Sequence, residues 1–173
     1  GTFYVTHSVG RRWIEAGLKG NIISILATWV WTGSPYVVPS AMSKSAINAM
    51  TKSLAVEWGP YNIRVNAIAP GPFPTEGAWA RLSPKGDLDN DSSYSAIPLG
   101  RVGEMSELQN LASFLMADGC DYLTGQTIAI DGAQYITGGG TFSGLSKLKD
   151  SDWEEIKSMI KSTNEKDKAN RNT

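Results

Sequence analysis

The segment Asn21-Ile22-Ile23-Ser24-Ile25-Leu26 is short, apolar and rich in β-branched residues. Such a run reads as a strand buried on both faces, as parallel sheets require because helices cover both sides. A helical pattern precedes it over residues 2–18. There Phe3, Val5, Val9, Trp13, Ile14 and Leu18 fall mostly at three- and four-residue steps, and Gly20 follows as a stop. Residues 27–39 form a loop with Gly33 and Pro35 as breakers, and a second helix is predicted from about Ser40 to Trp58. Its apolar stripe is Ile47, Met50, Leu54 and Trp58. A second stripe of Ala41, Ala46, Ala49 and Ala55 is small enough to let another helix approach closely.

A second strand is predicted at 63–69, closed by Pro70-Gly71-Pro72, followed by an irregular stretch over 72–100. A third helix is expected at 106–117 and a last strand at 126–130, ending on Asp131-Gly132. Strands alternating with helices of this length imply right-handed crossovers into one parallel sheet. The predicted class is α/β, half of a doubly wound parallel-sheet fold, because three strands leave a thin sheet with an open edge. The chain also opens inside a helix and without Met, so the expectation is the C-terminal part of one domain. That part spans residues 1–149, with 150–173 as its helical tail. The tail helix is predicted from Asp152 to about Ser162, with residues 164–173 polar and frayed.

The formal net charge of −1 gives no reason to expect nucleic acid or an anionic membrane surface as partner. No apolar run is long enough to span a bilayer as a helix. Cys120 is the single cysteine, so no intrachain disulfide can form, and a reducing, cytoplasmic compartment is expected. His7, the single histidine, has no acidic or cysteine neighbours at ligand spacing, and no metal site is expected. Trp13 and Trp58 read as packing residues.

Ser40 and Lys44 share one helix face, four residues apart. On spacing alone the bland reading is an N-cap serine and a solvated lysine. The surrounding strings change that. Pro39-Ser40-Ala41-Met42-Ser43-Lys44-Ser45-Ala46 is followed by Thr51-Lys52-Ser53-Leu54-Ala55-Val56-Glu57-Trp58. Then come Ile63-Arg64-Val65-Asn66-Ala67-Ile68-Ala69-Pro70-Gly71 and Gly125-Gln126-Thr127-Ile128-Ala129-Ile130-Asp131-Gly132. This succession resembles the short-chain dehydrogenase/reductase family over nearly the whole chain. Within it, Tyr36-Val37-Val38-Pro39-Ser40-Ala41, the 70–82 segment and the long tail with Trp153 look most like the 2,4-dienoyl-CoA reductases. There a serine stands where most members carry tyrosine.

The resemblance implies a Rossmann-type fold and a nicotinamide cofactor, NADP(H), with NAD(H) as alternative. The Gly-rich dinucleotide turn and the upstream Asn-Ala-Gly segment are absent from this sequence, and Gly138-Gly139-Gly140 lies in the wrong context to replace them. The resemblance further implies that Lys44 binds the nicotinamide ribose hydroxyls and that Ser40 is a polar partner beside it. Pro70, Gly71, Pro72, Phe73 and Thr75 would border the cofactor at the carboxyl end of a strand, where open α/β sheets bind ligands. Residues 76–97 would form a substrate lid, with Trp79, Arg81, Leu82 and Tyr94 toward an acyl-CoA thioester. A homodimer or homotetramer built on the first and second helices is implied as well.

In the dienoyl-CoA reductases the catalytic tyrosine lies eleven residues before the serine, and here that position is Trp29. Indole is a donor only and far too weak an acid to supply a proton. Two readings of Trp29 stand: its N–H is aimed at a thioester oxygen, or the ring packs the loop. Tyr36 is the nearest phenol and Thr28 a further polar candidate. The expected activity is reduction of a 2,4-dienoyl- or related enoyl-CoA. The alternatives are a carbonyl (3-oxoacyl) reductase, or a catalytically silent member that binds cofactor or serves as an oligomer partner.

Overall fold

The computed structural model describes residues 1–75, 94, 97–138 and 142–171. Two compact units are present, Gly1–Tyr135 and Ile136–Thr173. The first opens with helix α1 (Thr2–Ala16), which ends two residues earlier than the last apolar step suggests. Gly17 adopts a left-handed conformation (φ 65°), and it and Leu18 donate to the carbonyls of Ile14 and Trp13. Strand β1 (Gly20–Ile25) follows. The loop expected at 27–39 contains a single helical turn, α2 (Trp29–Thr32), closed by Gly33. Helix α3 (Val38–Trp58) starts two residues before the predicted Ser40, with proline in its first turn, where a missing N–H costs nothing.

Strand β2 (Ile63–Pro70) pairs in parallel with β1 on one side and with β3 (Thr127–Ile130) on the other. Helix α4 (Met105–Met116) lies between β2 and β3 in sequence. The sheet order is β1-β2-β3, so the parallel α/β expectation holds. β2 is buried along nearly its whole length, whereas β1 is only half-buried and Ile25 is exposed. The two-face burial predicted for β1 therefore belongs to β2. Among the described residues β1 has a strand on one side only, and that is why its side chains stay partly open.

Alternation along β2 sorts the layers. Ile63 and Val65 join Leu54, Ala55 and Trp58 of α3, with Trp13 and Ile14 of α1 packed against them, while Ala67 and Ala69 pack with Leu26, Val30 and Ile47. Gly10 makes this possible, because a Cβ there would stand 2.3 Å from the buried Trp58 ring. Arg64 and Asn66 point the other way. Arg64 donates to the carbonyls of Ala117 and Leu123, and Asn66 donates to Leu123 and accepts from the N–H of Gln126. Two buried polar side chains thus tie the segment after α4 to the middle strand, satisfying backbone groups that burial would otherwise strand.

Helix α5 (Gln134–Thr137) follows β3, and α6 (Asp150–Arg171) forms most of the second unit. α6 runs through residues expected to fray. Its side chains are mostly exposed, so no apolar stripe in the sequence marks its continuation. Among the described residues no helix is long and apolar enough to cross a membrane.

Candidate active site

Lys44 lies in the second turn of α3, and its ammonium donates to the carbonyl of Ile25 at the carboxyl end of β1 (2.5 Å). The bond identifies which edge it serves. Gly20 and Leu26 donate to Asn62 and Ile68, so the backbone groups of even-numbered β1 residues face β2 and those of Asn21, Ile23 and Ile25 face outward. Lys44 therefore caps an outward-facing carbonyl rather than standing free in solvent. A cleft of about 510 Å³ runs along the same edge, bordered by Val5 and Thr6 of α1, Asn21–Ile25, Lys44 and Ile47. The Asn21 carboxamide donates to the carbonyl of Leu115, while its oxygen is buried without a partner among the described residues.

Ser40 is the third residue of α3 and half-buried, and the N-cap is Val37. The N-cap reading of Ser40 is thus replaced by a position inside the first turn, one turn from Lys44. Trp29 opens α2 just beyond β1. It is half-buried, and its indole N–H is shielded with no acceptor among the described residues. A buried donor left unmet costs about 1–3 kcal/mol, so such groups call for a reason. Thr28 is the N-cap of α2 without a side-chain bond to it. Tyr36 stands apart: its backbone is left-handed (φ 62°) and its side chain is fully exposed.

Pro70 ends β2, and Gly71 donates to the carbonyl of Ile130 (3.0 Å). A Cβ on Gly71 would come within 2.6 Å of the Asp131 Cβ, so the close approach visible at this glycine is to the end of β3. Pro72 accepts from the N–H of Gly103, and the Phe73 ring occupies the space a Gly103 side chain would take. Pro72 and Phe73 also border a small cavity of about 70 Å³ with Leu99, Arg101 and Asp131. Thr75 is exposed. Trp79, Arg81 and Leu82, with most of the expected lid, lie outside the described residues; Tyr94 is half-buried.

Arg101 makes two hydrogen bonds to Glu107 (both 2.8 Å), and Glu107 also accepts from the N–H of Glu104 at the start of α4. The Arg101 guanidinium, then the Glu104 N–H, hold the Glu107 carboxyl down at about 2. This anchor was not singled out in the sequence, although an arginine shortly before a helix with glutamate at its third position is a readable cap signal. The sequence marks Asp131 only as the end of a strand. It is buried and accepts from the N–H groups of Ala133 and Tyr135.

A nicotinamide cofactor can be tested against these residues. Lys44 spends one of three ammonium donors on Ile25, which leaves donors for a pair of ribose hydroxyls at the carboxyl end of the sheet. The lysine and the shielded, unmet indole donor are both compatible with a polar ligand at this edge.

The family model for Enoyl-(Acyl carrier protein) reductase matches residues 1–133. A Caenorhabditis elegans protein named as a probable 2,4-dienoyl-CoA reductase is 40% identical over 173 residues, which is 98% of this chain and 56% of that protein. The crystal structure of a short chain dehydrogenase from Bacillus anthracis superposes with a TM-score of 0.66 at 44% identity, over 78% of this chain and 50% of that one. The chain belongs to the short-chain dehydrogenase/reductase family. A family structure from Agrobacterium tumefaciens with bound NADP reaches a TM-score of 0.72 at 28% identity, over 78% of this chain and 54% of that one. The chain spans about half the length of the curated relatives it matches. The fold it shares with these dehydrogenases is the Rossmann type, as the motif succession implied.

Proposed function

We propose that this chain is the cofactor- and substrate-facing part of an NADPH-dependent reductase of 2,4-dienoyl-CoA or related enoyl-CoA thioesters, acting as a homo-oligomer in the cytoplasm. The observation that carries the reading is the Lys44 ammonium, held at the carboxyl end of β1 with donors to spare. Relatives named as 2,4-dienoyl-CoA reductases support the substrate class. Exposed Phe3, Tyr4 and Val5 on α1 and Met42 and Val56 on α3 support pairing between copies.

A bound reduced nicotinamide would supply hydride to the conjugated chain. Lys44 would orient it through the ribose hydroxyls and keep a positive charge beside the ring. Ser40, one turn away, would offer a hydroxyl to the same region. The Trp29 N–H would donate to the thioester oxygen as that oxygen gains charge, which favours the transition state without moving a proton. The proton then comes from water or another group, because indole cannot release one at accessible pH.

The test is oxidation of NADPH by the full-length protein with 2,4-hexadienoyl-CoA. Turnover is expected, with NADH compared alongside. Tight NADPH binding with no turnover would defeat the enzyme reading and favour a silent member, the alternative that Trp29 itself raises. Turnover of a 3-oxoacyl thioester and not of the dienoyl one would favour the carbonyl-reductase alternative.

A further inference from the structure

Trp31 and Tyr135 meet from the two outer strands of the described sheet. Trp31 lies on α2, past the end of β1, and Tyr135 on α5, past the end of β3. Those strands flank β2, which sets them about 10 Å apart at ordinary strand spacing. Yet the two rings meet with centroids 4.7 Å apart and planes inclined by 31°. Their contact joins segments that follow the carboxyl ends of β1 and β3, the edge at which open α/β sheets bind ligands.

The Tyr135 side is built for this. Asp131, buried, accepts from the N–H of Ala133 (3.0 Å) and of Tyr135 (2.8 Å). Ala133 is left-handed (φ 70°), a conformation that alanine resists and that the two bonds hold in place. On the other side, Gly33 stops α2 by donating to Trp29 with φ 67°, so Trp31 is fixed in a single turn. Neither ring belongs to the buried core clusters, and Trp31 remains 40% exposed. The pair thus stands outside the core clusters, held by a buried carboxylate on one side and a glycine-stopped turn on the other, with part of Trp31 open to solvent.

We propose that the Trp31–Tyr135 pair is the surface that selects the acyl group: the flat, conjugated part of a dienoyl chain lies against the aromatic pair. A saturated chain of equal length has no π-system to offset-stack and gains less there. This rests on the dienoyl-CoA reading given above.

The experiment measures dissociation constants of 2,4-hexadienoyl-CoA, hexanoyl-CoA and NADPH by calorimetry on the full-length protein. It compares wild type with Trp31→Leu, Tyr135→Leu and Tyr135→Phe. Leucine leaves a smaller apolar side chain and removes the π-face, while phenylalanine keeps the ring. Wild type is expected to prefer the dienoyl ester. Each leucine variant should lose that preference by about three- to tenfold, with hexanoyl-CoA and NADPH within about twofold. Tyr135→Phe should retain it. Unchanged preference in both leucine variants, or equal losses for the two thioesters, would overturn the proposal. A loss confined to NADPH would overturn it too, by assigning the pair to the nicotinamide. Wild type that binds both esters without preference refutes the role of the pair and leaves the enzyme standing. Wild type that binds neither removes the dienoyl-CoA reading itself, and the pair's role with it.

Discussion

Replacing Trp29 by phenylalanine removes the indole N–H and part of a half-buried ring, and the two losses act in opposite directions on stability. The smaller ring costs about 1–2 kcal/mol in lost contact and residual space. The N–H is shielded without an acceptor among the described residues, and relieving an unmet donor returns about 1–3 kcal/mol. The isolated protein should therefore unfold in urea within about 1 kcal/mol of wild type, where a Trp→Phe change at a satisfied packing site would be plainly destabilising. Ligand binding should move the other way. Loss of one neutral hydrogen bond to the thioester oxygen weakens 2,4-hexadienoyl-CoA about two- to tenfold. Loss of a donor to the charged oxygen of the transition state lowers kcat further, by about a hundredfold or more. The assay is urea unfolding with and without the thioester, alongside steady-state kinetics. A fall of about 2 kcal/mol in the free protein with ligand affinity and kcat untouched would refute the reasoning and make Trp29 a packing residue.

Two further outcomes follow from the packing and the charges. Gly10→Ala should destabilise the fold by about 1–2 kcal/mol: the helix propensity gain of about 1 kcal/mol is outweighed by overlap with the buried Trp58 ring, and a higher melting temperature would show that α1 and α3 can part. Glu107→Gln probes pH. The Glu107 carboxyl is held down at about 2 from an ordinary 4.5, so its ionised form stabilises the fold fully above about pH 4.5, and that stabilisation is lost as pH falls toward 2. The difference in melting temperature between wild type and variant should shrink over that window, and parallel profiles would exclude the Arg101–Glu107 pair as its source.

Much of the architecture was legible because burial leaves a composition signal. The β2 run, the Leu54/Trp58 stripe of α3 and the α4 periodicity all stand where the apolar pattern set them. The misses have local causes. α2 is one turn long, too short for any period to show, and α3 begins at Val38 because Pro39 suits a first turn better than a loop. The over-burial assigned to β1 came from composition, which cannot say how many strands flank a run. α6 extends past Ser162 on exposed polar residues, where a helix leaves no apolar stripe to find. At the candidate site, the motif succession singled out Lys44, Ser40 and Pro70-Gly71. It could not disclose that Gly71 is pressed on Asp131, or that Trp31 and Tyr135 stack, since both contacts join residues far apart in sequence.

Lys44 carries the reading of the site, yet a substitution there makes the poorer test of activity. Its ammonium caps the outward-facing Ile25 carbonyl, a group on an edge that pairs with no strand among the described residues. An unmet polar group there costs free energy whether or not any reaction takes place. Lys44→Ala would remove a ribose donor and uncap β1 together, so a fall in cofactor affinity would not separate catalysis from sheet stability. Trp29 has no such second task. Its N–H serves no acceptor within the described fold, and a donor buried at a cost is retained most readily where a ligand oxygen completes it. The stability and the activity of Trp29→Phe therefore move apart if the site is a working one. If the indole merely packs, stability falls while ligand affinity and kcat hold, which makes this residue, and not the lysine, the place where a functional reductase and a silent relative differ.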